Sequence, residues 1–463
     1  MYNNSLKAVI QSFKKLNPKS LASHWFCIGL FTLAVSEANA QKIYSLQSCI
    51  DTAMQKNLNI KAVQFDLEKS YAGVKQSVSN YLPNVNLSAS YQYQFEIPTS
   101  ILPADAFGGA TDGYMAAQMG VEQSKSIAAQ LNQNIFNMPA LTGIKIARIS
   151  GNLSALQIKS TKEDLVYNIS TVYYNIQSIQ KQIEFTTQTL SNTESLLKIT
   201  EKQWKAGLAT STDQDRLTVS RDNTGANLES LQNSKVKLYN LLKLFMNVPL
   251  DRDISIEELN ENDINLTLII NTDFNPEAKT NIQQLNENEH MLALQRKSIT
   301  TSYLPTISLI GNYQYAGYYY DVNPTKNIND KWYSSSYIGI NLSLPVFDGL
   351  NRHQQIRQKN FEIEKTKVQK QQLILQNQKE VFDANADLKS NYLTFMNQQR
   401  NLSLAQKVMD DINTQYNSGL VRITDVINTE TELKSAQNNY VNALINFKKA
   451  ELDVKKAQGQ LIQ

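Results

Sequence analysis

The sequence predicts a mainly α-helical chain with a smaller membrane β part, laid down twice on one helix–strand–strand–helix–turn–helix plan. Three observations lead there. Apolar residues recur at every seventh position over very long stretches, short segments alternate apolar and polar residues, and the same local motifs return in both halves.

Taken in order, the chain of 463 residues begins with a leader. Lys7, Lys14, Lys15 and Lys19 precede an apolar core from Leu21 to Val35, and Ala38-Asn39-Ala40 has the small-x-small pattern of a secretory cleavage site. Residues 1–40 therefore read as a signal peptide, since the apolar run is shorter than the roughly 18 residues of a membrane anchor. Cys27 does not fit a lipid-bearing cysteine, because bulky Trp25 and Phe26 stand where small residues would be.

Removing the leader takes four lysines and one glutamate from 45 basic and 42 acidic residues, which leaves the two signs balanced. A balanced, finely mixed chain has no electrostatic means of gripping nucleic acid. Only Cys49 then remains, so no intrachain disulfide is possible, and a small buried core residue is expected there. No later run of about 18 apolar residues occurs, so any membrane the chain crosses is crossed by strands.

The two repeats span residues 41–248 and 274–463, with an acidic, polar linker at 249–273. "SNYLPNVNLSASYQYQ" from Ser79 is echoed by "TSYLPTISLIGNYQYA" from Thr301, and "LNQNIFN" from Leu131 by "LSLPVFDG" from Leu342. In the first half Ile169, Ile176, Ile183, Leu190, Leu197 and Trp204 keep a seven-residue step. In the second Ile374, Val381, Leu388, Phe395, Leu402, Met409 and Tyr416 do the same. A sustained heptad keeps one seam facing a partner helix. Helices from Pro139 to Lys205 and from Arg352 to Tyr416 would each be about 97 Å long at 1.5 Å per residue. The seam resumes as Val426, Leu433, Tyr440, Phe447, Val454 and Leu461, beside a small row of Thr429, Ala436, Ala443, Ala450 and Ala457. A large row next to a small one suits helices packed as staves.

Val85, Leu87, Ala89, Tyr91, Tyr93 and Phe95 alternate with polar residues, as do Ile338, Ile340, Leu342 and Leu344. Ile307, Leu309, Tyr313 and Tyr315 form a third such row, and Ile127, Ala129, Leu131 and Ile135 a fourth. Tyr318, Tyr319, Tyr320, Trp332 and Tyr333 bunch at the segment ends, which is the pattern of a membrane barrel with an aromatic girdle. The stretch from Ile97 to Ser124 reads as a loop of about 28 residues between two strands. Four strands cannot close, and open edges are not tolerated in lipid. Three copies supply about twelve strands and room for water, where two supply about eight and a filled interior. A water-filled conduit therefore predicts a trimer.

The seam breaks twice, about 212 residues apart, in "WKAGLATSTDQDRLT" (Trp204 to Thr218) and "YNSGLVRITDVINTE" (Tyr416 to Glu430). Gly207 and Gly419 supply the freedom to turn back, and Thr212 or Thr424 is expected to cap the returning helix. Asp213 and Asp425 follow their glycines at the same offset, where a carboxylate suits the positive end of a helix dipole.

With the duplicated plan, these residues resemble those of a TolC-family outer-membrane efflux protein. The signature is Tyr81-Leu82-Pro83 and Tyr303-Leu304-Pro305, the tips Gly207-Leu208 and Gly419-Leu420, and "SLPVFDG" from Ser343 to Gly349, whose first-half counterpart Ile135-Phe136-Asn137 is degenerate. The resemblance implies a homotrimer with a β-barrel in the outer membrane of a Gram-negative bacterium and an α-helical barrel in the periplasm. It implies that the tips, Gly207, Leu208, Thr212, Gly419, Leu420, Val421 and Thr424, dock a periplasmic adaptor (membrane fusion) protein serving an inner-membrane RND or ABC exporter. It also implies a pore-facing acid at Asp425, which with Asp213 at the same offset is expected to form a periplasmic constriction, and neighbouring Arg422 is expected to hold the tip closed by pairing with an acid on an adjacent helix. The family often has a second acid one turn on, and here that place is Asn428.

Other functions fit the residues less well. His290 and His353 stand in no metal-spaced cluster, no phosphate loop or nucleophile elbow is present, and the acids are scattered along helix faces, so neither an enzyme nor a cofactor is expected. No Met-rich or His-rich tract marks a metal cargo. A periplasmic coiled-coil adaptor would share the heptads and would lack the four amphipathic strands.

Overall fold

The computed structural model describes residues 43–104, 113–259, 274–319 and 332–462, apart from the Tyr319 side chain. The expected leader, residues 260–273 of the expected linker and Tyr320 lie outside the described residues. The first half runs β1 (Ile43–Tyr44), α1 (Leu46–Lys56), α2 (Leu58–Ser79), β2 (Asn84–Tyr93), β3 (Thr99–Pro103), β4 (Tyr114–Gln118), β5 (Gln123–Phe136), α3 (Met138–Lys205) and α4 (Ser211–Met246). The second runs β6 (Ser255–Ile256), a 3-10 turn at Pro276–Ala278, α5 (Thr280–Thr301), β7 (Thr306–Tyr319), β8 (Trp332–Ser343), α6 (Asn351–Asn417) and α7 (Ile423–Ala457).

Strands β2, β5, β7 and β8 form one antiparallel sheet in that order. Its register aligns Val85, Leu131, Gly311 and Ile338 across one face, then Leu87, Ala129 and Tyr313 two residues on. The rows between them belong to the other face and are polar on β2 and β5, as at Asn86 with Gln130 and Ser90 with Ser126, and reach Tyr337 and Tyr333 on β8. The first face is apolar over the rows nearest the helices, as the alternation in each strand anticipated, and farther out it carries Ser336 and Ser334 on β8 and Lys125 on β5. The expected loop from Ile97 to Ser124 instead contains the β3–β4 hairpin, and Gln123 is already a buried strand residue.

The sheet meets the helices at two clamps built from the motif residues. The Tyr81 hydroxyl donates to the Asn137 carbonyl and accepts the Asn137 N–H at 3.1 Å, while the Asn137 side chain caps α3. In the second half Arg352 Nε donates to Asp348 Oδ2 at 2.5 Å and its guanidinium lies 4.4 Å from the Tyr303 ring centroid. A further Arg352 N–H reaches the Ser302 carbonyl at 2.8 Å.

Helices α3 and α6 have 68 and 67 residues. Each spans about 100 Å at 1.5 Å per residue, close to the expected length. Near the sheet the lateral order is α2, α3, α5, α6; beyond the midpoint it is α4, α3, α7, α6. The α6–α7 seam is as the heptads predict: Val381, Leu388, Phe395, Met409 and Tyr416 are buried against Val426, Leu433, Tyr440, Phe447 and Val454. Phe395 stacks on Phe447 with centroids 5.9 Å apart and also meets Tyr440. In the small row Thr429, Ala443, Ala450 and Ala457 are buried.

The α3 seam departs from the heptad. Ile169 and Ile176 are buried, whereas Trp204 is 44 % exposed and the buried line below becomes Thr189, Thr193, Leu196 and Thr200. A straight helix drifts about 20° per heptad, and here the hydroxyl-bearing face turns toward α6 and α7, where hydrogen-bond partners wait.

Three further features lie at the midpoint. Asn57 splits the expected first helix: its side chain accepts from Asn59 and Ile60 N–H and donates to the Phe245 carbonyl at 2.8 Å. β1 pairs in parallel with β6, over a core containing Cys49, Ile169, Tyr173, Ile176, Leu242 and Met246. Burial there pushes the Cys49 thiol up to about 12. Lys279 ends α7, donating to the Ala457 carbonyl at 3.1 Å and to that of Lys456 at 3.3 Å. Burial lowers its basicity, opposed by the nearby Glu380 and Glu163.

Ala443→Leu or Ala450→Leu should each lower stability by about 1–3 kcal/mol through overpacking, and Val454→Leu by less because it adds one methylene. Denaturant midpoints of the detergent-extracted protein check this. Equal midpoints for all three variants would remove the argument for interlocking rows.

Candidate functional site

The two helical turns lie about 100 Å from the sheet and share one geometry. At the first, Gly207 takes φ +76°, with its N–H bonded to the Trp204 carbonyl at 2.9 Å and Leu208 N–H to Gln203 at 2.8 Å. At the second, Gly419 also takes φ +76°, bonding to Tyr416 at 2.9 Å, while Leu420 bonds to Gln415 at 2.9 Å. Both are Schellman endings, whose left-handed residue favours glycine. Nothing packs against either glycine, and Leu208 and Leu420 project into solvent as exposed apolar tips.

The caps differ from expectation. Thr210, not Thr212, caps α4: its hydroxyl accepts Asp213 N–H at 3.2 Å, and the Asp213 carboxylate accepts Thr210 N–H at 3.1 Å. Arg422, not Thr424, holds the equivalent place before α7, where Asp425 Oδ2 accepts Arg422 N–H at 3.1 Å. The turn leaves Thr210 and Arg422 extended, so both helices start two residues earlier than the threonines suggested. Both aspartates therefore close the first turn of a helix, as the dipole argument allowed.

Within one chain Asp213 and Asp425 are not hydrogen-bonded to each other, and the Arg422 side chain is exposed with no ion pair among the described residues. Thr212, Thr424 and Asn428 do come together, with Asp215, Arg216 and Ile427, in a groove of about 560 Å³ between α4 and α7. Val421 is half-buried against the apolar cluster at the tip.

The apolar pattern gave no sign of the links that join the two hairpins. Tyr416, expected only as a seam residue, accepts from the Thr200 hydroxyl at 3.1 Å and donates to Gln203 Oε1 at 2.9 Å. Glu430, 4 % exposed, accepts from the Thr193 hydroxyl at 2.7 Å. Lys434 Nζ donates to the Thr224 hydroxyl at 3.0 Å beside a polar cavity of about 270 Å³ lined by Gln182, Thr186, Thr189 and Gln437. The signal was the spacing of Thr189, Thr193 and Thr200 at helical period, which a count of apolar residues passes over.

His290 and His353 sit exposed on α5 and α6, and no group of three His, Cys, Asp or Glu converges among the described residues. Among the described residues no helix is long and apolar enough to cross a membrane.

Comparison with known proteins matches residues 49–245 and 276–460 to the family model for outer membrane efflux proteins. The chain is similar to the outer membrane protein TolC of Escherichia coli (strain K12), 19 % identical over 90 % of this chain and 82 % of that one. It is also similar to TolC of Vibrio cholerae serotype O1, 19 % identical over 97 % and 96 % of the two chains. The Campylobacter jejuni CmeC outer membrane channel superposes with a TM-score of 0.71 at 15 % identity, over 90 % of this chain and 86 % of that one.

Tyr416→Phe should loosen the two hairpins without disturbing the aromatic α6–α7 seam. It removes two inter-hairpin hydrogen bonds, each with a net value of about 0.5–1.5 kcal/mol. Hydrogen exchange should quicken in the α3 segment 196–205 and stay unchanged in α7 beyond Tyr440. Unaltered exchange in both segments would show that the hydroxyl links are incidental.

Proposed function

The chain belongs to the outer membrane efflux protein family, and on that premise we propose how it is assembled and gated as the outer-membrane exit duct of an efflux system. Three copies close into one conduit, with about twelve strands in the outer membrane and a helical barrel in the periplasm. Repeats 41–248 and 274–463, joined through 249–273, supply the two halves of each copy's wall. The tips dock a periplasmic adaptor (membrane fusion) protein, which connects the duct to an inner-membrane RND or ABC exporter. Substrate passes through without covalent chemistry.

One observation carries the assembly: each copy is open along the same two edges from end to end. The sheet ends in β2 and β8, the helices near it in α2 and α6, and those near the tips in α4 and α6. α6 carries a second heptad stripe along its open side, Phe361, Val368, Leu375 and Phe382, each 62–67 % exposed. The opposite edge offers Leu58 and Phe65 on α2, and Val219 and Val236 on α4. An apolar stripe of that length facing water marks an interface, and one edge fits the other only if copies follow each other around a ring. A soluble coiled-coil adaptor has no use for a four-stranded sheet with exposed apolar rows such as Val85, Leu87, Ile338 and Ile340.

The same symmetry brings three copies of Asp425 and three of Asp213 around the periplasmic mouth. Carboxylates so gathered attract cations, while Asn428 leaves the next turn uncharged. Exposed Arg422 pairs with an acid of the adjacent copy and biases the mouth toward closure. Such a pair is worth only about 0–1 kcal/mol, so an adaptor displaces it easily.

Leu375→Glu with Phe382→Glu should abolish heat-resistant trimers in detergent extracts, and persistence of those trimers would sink the ring. In planar bilayers Asp425→Asn should weaken cation preference and block by multivalent cations, Asn428→Asp should strengthen block, and Arg422→Ser should raise conductance. Unchanged selectivity and block in Asp425→Asn, with trimers intact, would leave Asp425 as a helix-end acid only.

A further inference from the structure

Between β2 and β5 the chain does not simply turn. Gln94 N–H donates to the Glu122 carbonyl at 2.7 Å, one step beyond the last ladder pair Tyr93–Gln123, and Met119 N–H reaches the Pro98 carbonyl at 3.3 Å. β3 and β4 then pair from Thr99–Gln118 to Pro103–Tyr114. The β2–β5 ribbon thus continues past the sheet as a second hairpin about 17 Å long at 3.4 Å per residue. It is bent at Gly120, where the φ of +147° would strain any residue with a side chain and Ile97 Cγ2 lies 3.3 Å from where a Cβ would be.

This hairpin is built unlike one meant for water. β3 and β4 carry no charged residue. Ile101 is 72 % and Tyr114 81 % exposed, with Met115, Met119 and Phe95 also exposed. Both faces are apolar, because Leu102 pairs with Met115 on one and Ile101 with Ala116 on the other. An isolated two-stranded hairpin is marginal in water, and a patch of this kind marks a contact surface.

The position of the hairpin selects the occupant. It lies beyond the aromatic end of the sheet, where Tyr91, Tyr315, Tyr318, Trp332 and Tyr333 stand, so it is past the hydrocarbon. It rises from β2, an edge strand, which borders the next copy in the ring. Identical uncharged surfaces meet without like-charge cost, whereas a charged partner would find nothing to pair with.

We propose that the β3–β4 hairpins of three copies pack against one another over the external mouth through Ile101, Tyr114 and Met115, forming an outer constriction of the duct. This rests on the three-copy reading given above. The hairpin acts at the opposite end of the conduit from the tips, so exit is controlled at both ends.

The test places a cysteine at exposed Ala116, where Cys49 is buried and silent. In intact cells a short bismaleimide should link Ala116→Cys chains in pairs, giving covalent dimers. Ile101→Ser with Tyr114→Ser and Met115→Ser should raise single-channel conductance about twofold or more, with heat-resistant trimers retained. Trimers that persist with no cross-link between copies and no rise in conductance would overturn the constriction alone, whether the hairpin then meets lipid or another protein. Absence of trimers in the unaltered protein would overturn the three-copy reading and the constriction with it.

Discussion

A β-sheet edge cannot be left open in hydrocarbon, and the rest of this chain follows from that. β2 and β8 each present a row of backbone donors and acceptors with no partner strand in the same copy among the described residues. Lipid offers no hydrogen bonds, so each such group costs several kcal/mol unless another strand pairs with it. In the proposed ring, neighbouring copies supply those partner strands. Once copies flank it, the helices that continue from its four strands are flanked too. That explains why α6 carries two apolar faces: one is spent within the chain on α7, and the Phe361–Phe382 face points outward along the edge that continues β8.

The two helical interfaces inside a copy are chemically different, and their difference has mechanical meaning. The α6–α7 seam is held by stacked rings and aliphatic side chains, Phe395 on Phe447 above Val426 and Leu433, whose burial is non-directional and whose separation exposes apolar surface. The contact of α3 and α4 with α6 and α7 adds to the buried Leu196 and Leu217 the hydrogen bonds Thr193–Glu430, Thr200–Tyr416 and Thr224–Lys434. Hydrogen bonds have a narrow range of good geometry, so they fix position, yet water replaces them at small net cost when they part. A polar cavity already lies beside this second interface.

What could be read from the sequence tracks the physical signal each element carries. The strands and the α6–α7 hairpin were legible because lipid and aromatic packing both impose an apolar period, as at Val85 to Tyr93 and at Val381 to Tyr416. The Thr189–Thr200 line was not, because its packing partners are hydroxyl groups and its residues count as polar. The β3–β4 hairpin was hidden by Gly-, Ala- and Pro-containing sequence that suits a loop as well as a short ribbon. β1 and β6 have two residues each, too few for any period. The caps were misplaced by two residues because Thr210, Ser211 and Thr212 are all good capping residues, and only the extended backbone at Thr210 decides among them.

The tip aspartates show how a structural duty and a proposed functional one coexist in a single side chain. Asp425 uses Oδ2 to accept the Arg422 N–H, and Oδ1 has no hydrogen-bond partner among the described residues. A carboxylate at the third helical position thus turns one oxygen to the backbone and leaves the other toward solvent. The backbone bond fixes where the carboxylate sits, at the positive end of the α7 dipole. The same bond ties the Arg422 backbone to its own helix while leaving the guanidinium exposed. Position is therefore set for the anion and left open for the cation, which is what a mouth with a fixed charge ring and a displaceable clasp requires.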